Sequence, residues 1–169
     1  MARKVPLLAL LLVFGLPVLC FAQPVPLQSR NRGPQSERVR LGVGHFERAF
    51  YQLVPQKRDA EATREFDLAV EQFEGELAAH PASIDAHAYL AKIFAVRKEF
   101  GKAAAHYDRL IELEPLNVDL YVLAALAYID NMQVTEARAR LVAAKDRTSD
   151  PAVVAKLTEY LSKLDQRKR

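Results

Sequence analysis

One cysteine, Cys20, and no tryptophan occur in the 169 residues. A single cysteine excludes an internal disulfide and a thiolate metal cluster. There is no glycine-rich phosphate loop, no serine elbow and no His-Glu pairing at helical metal spacing, so the sequence carries no signature of a nucleotide enzyme, an α/β hydrolase or a zinc protease. Runs of β-branched residues are scarce while Ala and Leu are abundant, a mix that favours helix over sheet through side-chain entropy. Past the amino terminus no stretch reaches the roughly 20 apolar residues of a membrane span. The run LYVLAALAYI, residues 120–129, is half that length and is closed by Asp119 and Asp130.

The amino terminus does hold an apolar segment. Arg3 and Lys4 precede apolar residues 5–21, and Cys20-Phe21-Ala22 puts small residues at the two positions that signal peptidase reads. This pattern predicts a cleaved leader over residues 1–22, a mature chain starting at Gln23, and export, with the bacterial periplasm as the destination. The rival reading is a lipoprotein anchored through Cys20. Leu19 is bulky where that pathway wants a small residue. Without Arg3 and Lys4 the 24 basic residues drop to 22 against 21 acidic ones, so the mature chain is close to neutral. That balance argues against a nucleic-acid partner.

Residues 23–41 read as a disordered linker, with Pro24, Pro26 and Pro34 and no hydrophobic period. Arg30, Arg32, Arg38 and Arg40 make it locally basic; a solvated tail accounts for them more simply than an anion- or membrane-binding arm. A helical domain is expected over residues 42–165. Phe46, Phe50 and Leu53 share one face of a helix ended by Pro55. Phe66, Ala69, Val70, Phe73 and Leu77 form the next stripe, which stops before His80-Pro81. Ser83 reads as the N-cap of a helix to about Arg97, Gly101 as a break, and Glu114-Pro115 as the following stop. Asn117 is placed to cap the helix containing the LYVLAALAYI run. A further helix runs from Thr135 to about Lys145. Asp150-Pro151 opens the last, with Val154, Leu157, Leu161 and Leu164 on one face.

These helices repeat with a period of 34. Ala69, Ala103 and Ala137 obey it, as do Phe73, Tyr107 and Leu141, Pro81 and Pro115, and Phe94 and Tyr128. Residues 84–117 read His87-x2-Leu90-Ala91-x2-Phe94, then Ala103-x3-Tyr107, then Pro115. Residues 118–151 read Tyr121-x2-Ala124-Ala125-x2-Tyr128, then Ala137-x3-Leu141. A small residue at each alanine position lets two helix backbones approach, and the neighbouring aromatic fills the remaining gap.

In these residues the sequence resembles the tetratricopeptide repeat family, whose helix-turn-helix unit has this period and the pattern W-x2-L-G-x2-Y…A-x3-F…P. The resemblance implies an all-α fold of stacked hairpins forming a short right-handed solenoid. Residues 45–81 would be an atypical first hairpin and residues 151–165 a capping helix. The pattern departs at Ser149, where a third proline was due. It also departs upstream of Asp67, where the first-helix positions would be Leu53, Gln56, Lys57 and Ala60, which make no core face.

No residue set points to catalysis. His87 falls on a core-facing position and His106 beside one, with no third ligand in register, so neither metal nor cofactor is expected. Glu71, Glu74 and Glu76 read as a solvated face. The resemblance implies a groove lined by the first helices of each unit, where this sequence has Ala88, Lys92, Val122 and Leu126. Only Lys92 is cationic, so the family's clamp for a peptide carboxylate is not supported.

Within the apolar run, Tyr121, Ala124, Ala125 and Tyr128 face the stack. Val122, Leu126 and Ile129 form a second stripe about 100° round the helix. The stripe is either covered internally, by the last helix or by residues 23–41, or it receives an apolar helix or extended peptide from a partner. Lys92 at its edge would suit an acidic group on that partner. The sequence therefore predicts a non-enzymatic protein-interaction module binding another protein or peptide, as a scaffold or envelope assembly factor. The competing readings are an accessory subunit packed permanently in a larger envelope complex and an enzyme whose site carries no known signature.

Overall fold

The computed structural model describes residues 35–166. The expected leader, its cleavage site, Cys20 and residues 23–34 of the expected linker lie outside the described residues. Among the described residues the protein is all-helical and has no strand. It comprises α1 (Glu37–Glu47, continued by a π-helical stretch Arg48–Leu53), α2 (Asp59–Ala79), α3 (Ile84–Val96), α4 (Phe100–Leu113), α5 (Val118–Asp130), α6 (Val134–Lys145) and α7 (Pro151–Gln166). Each helix packs on the next in chain order, and α1 also packs on α3.

The linker is shorter than expected at its carboxyl end, because α1 begins at Glu37 rather than after Leu41. Ser36 caps it: its hydroxyl accepts from the Val39 N–H at 3.2 Å and donates to Glu76 at 2.6 Å. Val39, Gly42 and Phe46 are the buried residues of α1. A glycine in the middle of that stripe hides its period from a hydropathy reading. Gly42 is required there, since a Cβ at this position would stand 2.8 Å from the Phe73 ring. Glu76, read from sequence as part of a solvated face, is buried. Its carboxylate takes the Ser36 hydroxyl and lies 3.1 Å from His80 Nδ1, while Glu71 and Glu74 remain exposed.

The turns inside the hairpins repeat in detail. Lys98 and Met132, 34 residues apart, both adopt φ 62°. In the two turns the Phe94 carbonyl accepts from the Glu99 N–H and the Tyr128 carbonyl from the Gln133 N–H, both at 2.8 Å. Gly101, expected to break the chain, is instead the second residue of α4. The left-handed Lys98 makes the turn, a conformation that carries no sequence signal when a non-glycine adopts it. Asn117 stands at the N-cap of α5 but makes no capping bond, and its amide goes to Glu114 at 3.2 Å.

The same turn occurs a third time, 41 residues before Lys98. Lys57 has φ 57°, and the Leu53 carbonyl accepts from the Arg58 N–H at 3.1 Å. The extra seven residues lie in the second helix of the hairpin: α2 has 21 residues where α4 has 14. Within α2 the alanine-x3-phenylalanine pair occurs twice, as Ala62/Phe66 and Ala69/Phe73, and all four side chains are buried. This corrects the failed frame upstream of Asp67. The core positions of the first helix are Phe46, Ala49 and Leu53, seven residues earlier than an unbroken period would place them, and all three are buried.

The alanine seams are fully enclosed. Ala91, Ala103 and Ala137 have no exposed surface and Ala125 has 1%. Leu90, Phe94, Tyr107 and Leu141 are buried beside them, while Tyr128 is half-buried and Pro115 exposed. The Tyr128 hydroxyl donates to Asp108 at 2.6 Å, and Arg140 grips the same carboxylate with two bonds of 2.7 Å. That network ties α4, α5 and α6 together. The last helix opens at Pro151 as expected, the Asp150 carboxylate accepts from the Ala152 N–H at 2.8 Å, and Leu157 and Leu164 are buried. Among the described residues no helix is long and apolar enough to cross a membrane.

Candidate functional site

The residues expected to line a groove fall on α3 and α5, and α4 packs against both helices. They occupy equivalent places in the two copies, Ala88 matching Val122 and Lys92 matching Leu126. The structure divides them. Ala88 is 2% exposed and Ile129 6%, so both belong to the interior and neither can touch a partner. Val122, Leu126 and Lys92 are half-buried and reachable. Ile129 is enclosed although its chain neighbour Tyr128 is only half-buried. The stripe therefore shortens to Val122 and Leu126.

Tyr89 is the residue that sequence reasoning missed. It lies three positions before Lys92, on the same side of α3. Its ring stacks on Phe73 with centroids 5.1 Å apart and meets the Phe46 ring edge-on at 5.2 Å. Lys92 Nζ stands 5.1 Å from the centroid of the same ring. Burial raises the Tyr89 hydroxyl above the usual phenol range, and the charges of Glu47 and Asp85 add to the rise. Its signal in the sequence was weak, since the equivalent position in the next copy is Leu123.

Lys92 has an ammonium group held below the usual lysine range by burial, with Asp85 opposing the shift. Asp85 lies two turns earlier on α3, where its carboxylate also accepts from Gln35 at 3.4 Å. Among the described residues no carboxylate pairs directly with Lys92. On α5, Asp130 follows Leu126 by one turn, and burial raises its carboxyl above the usual carboxylate range. A half-buried cation over an aromatic ring and two half-buried aliphatic side chains make a surface for contact.

The histidines do come together. His87 Nδ1 lies 2.9 Å from His106 Nδ1, and His87 Nε2 lies 3.1 Å from the Pro81 carbonyl oxygen. The His106 ring stacks on Phe94 at 5.6 Å. Burial lowers both rings below the usual histidine range, His106 to about 4. Among the described residues no group of three or more His, Cys, Asp or Glu could hold a metal ion.

Compared with models of known protein families and with curated proteins, the chain matches none. The repeat therefore stands on this chain's own copies: the alanine seams, the left-handed turns at Lys98 and Met132, and the bonds to Pro81 and Pro115. In that last pair, the Tyr121 hydroxyl donates to the Pro115 carbonyl at 3.0 Å, where His87 reaches the Pro81 carbonyl.

Proposed function

We propose that this is an exported, tetratricopeptide-type interaction module that binds a helix or extended peptide of a partner protein, serving as a scaffold or envelope assembly factor rather than as an enzyme. The observation that carries the reading is that Tyr89 and Lys92 on α3, and Val122 and Leu126 on α5, the two first helices of the repeated unit, are only half-buried. α5 is apolar on nearly every side, and a helix of that kind is normally covered all round. Here Leu120, Tyr121, Ala124, Ala125, Ala127 and Ile129 are covered, while Val122, Leu123, Leu126 and Tyr128 are only half so, Val122 and Leu126 being the two on the expected groove face. Lys92, desolvated and without a paired carboxylate among the described residues, favours a ligand whose acidic group falls beside the apolar contact.

The test is Leu126→Glu. A half-buried position can tilt a carboxylate into water, so the variant should keep its stability to within about 1 kcal/mol. It should also lose the partner captured by the unaltered protein from an envelope extract. A loss of several kcal/mol would show that Leu126 is covered internally, as expected for a buried unpaired charge. A variant that folds normally and retains the partner would move the binding surface elsewhere.

A further inference from the structure

We propose that the facing Nδ1 atoms of His87 and His106 form an acid-sensitive latch, which holds the α3–α4 hairpin and the turn before it while the pair is neutral and releases them once both rings are protonated. The tautomers follow from the partners. The Pro81 carbonyl can only accept, so His87 Nε2 carries a hydrogen and donates to it at 3.1 Å. A neutral His87 then has a bare Nδ1. His106, 2.9 Å away, must present its Nδ1–H to that lone pair. The pair thus joins α3 to α4, and through Pro81 it joins both to the connection from α2.

The bridge has room for one proton between the facing nitrogens. The neutral pair satisfies it. A singly protonated pair also satisfies it, with the new N–H on His87 Nδ1 and the His106 hydrogen moved to Nε2. When both rings are charged, two N–H groups face each other at bonding distance and the contact becomes repulsive. The surroundings offer little compensation. The charges acting on His87 are Arg109 and Glu112, both on α4, opposite in sign and paired with each other. His106 feels His87 itself, and its other neighbour is the Phe94 face. Lys102, also on α4, stands 5.0 Å from the Phe94 centroid and is paired with Glu99. Among the described residues, α1, α2 and α5 bring no charge that acts on either ring. His80 and Glu76, which pair at 3.1 Å, are the titratable groups at the end of α2.

Both rings are depressed relative to a free histidine near 6.5, so the unfolded chain takes up protons first as pH falls. The stabilisation is complete above about pH 6.5 and is lost as the pH falls toward 4. The repeat itself supplies the control. In the next unit Tyr121 makes the equivalent bond to Pro115, and Arg140 stands where His106 does, 5.8 Å from the Tyr128 centroid. The hydrogen bond to Asp108 raises the Arg140 guanidinium further above the usual arginine range, so that side chain keeps its charge throughout this pH range.

The experiment is amide-exchange protection of the full chain at pH 7 and pH 4, compared with the double variant His87→Tyr/His106→Gln. In the unaltered protein, protection in α3–α4 should fall at least about tenfold more than in α5–α6, the equivalent of one ring shifted by one pH unit. In the double variant the two hairpins should fall together. Equal falls in the unaltered protein would overturn the proposal, as would an undiminished difference in the variant. Should the variant not fold, NMR titration of the two rings in the unaltered protein decides. Depressed and mutually dependent titrations are expected, and two independent midpoints near 6.5 would overturn the latch.

Discussion

Replacing Phe73 with alanine is expected to destabilise the protein by about 3–5 kcal/mol. The ring has no exposed surface and lies where three helices meet. It stacks on Tyr89 of α3 with an interplanar angle of 5°, and the backbone of α1 approaches it so closely at Gly42 that a Cβ there would touch the ring. Alanine removes the contacts of the whole ring and leaves a cavity bounded by helix backbone, which cannot collapse the way flexible side chains can. The measurement is a urea titration beside Tyr51→Ala, whose side chain is 51% exposed and whose loss should cost about 0.5 kcal/mol or less. A loss at Phe73 below about 1 kcal/mol would mean that α1 closes onto the vacated space, and that the Gly42 contact does not fix the spacing of the two helices.

Ala103→Leu is expected to cost about 1–3 kcal/mol through overpacking. Ala103 has no exposed surface, and its helix packs against both α3 and α5, so added methylenes have no direction in which to escape. Lys92→Leu is the matched control, since it places the same side chain on the half-buried face and removes an ammonium that burial already disfavours. Its effect should lie within about 0.5 kcal/mol. Equal and small losses at the two sites would mean that the repeat frame is shifted along the chain.

The helical class and the 34-residue period were legible because they rest on many residues at once. Alanine seams, aromatic fillers and terminating prolines each mark the same register. What escaped the sequence rests on single contacts. Gly42 looks like an interruption of a stripe until the Phe73 ring is seen against it. The seven-residue extension of α2 was hidden because it duplicates the alanine-x3-phenylalanine pair, so Ala69 and Phe73 keep the period while everything upstream slips. Glu76 reads as one acid among three, and only the Ser36 hydroxyl and the His80 ring explain its burial. Lys98 turns the chain in a conformation that its residue type does not announce.

Of the candidate site, the split between Ala88 and Ile129 inside and Val122, Leu126 and Lys92 outside could not be read from spacing. Helical periodicity assigns a direction to each side chain, and the depth at which a neighbouring helix covers it depends on tertiary packing. Tyr89 was missed for the same reason, because its ring is defined by Phe46 and Phe73 on two other helices.

The most direct test of the interaction reading is site-specific photo-crosslinking in the cells that make the protein. The reactive side chain is placed in turn at Leu126, at Leu116 in the turn before α5, and at Val142 on α6. Leu116 is 83% exposed and Val142 38%, so both are reachable controls on other elements. A discrete adduct with one partner protein is expected from Leu126, weakened when Lys92 is also replaced by glutamate, and no such adduct from Leu116 or Val142. Adducts from Leu116 or Val142 with none from Leu126 would contradict the interaction reading.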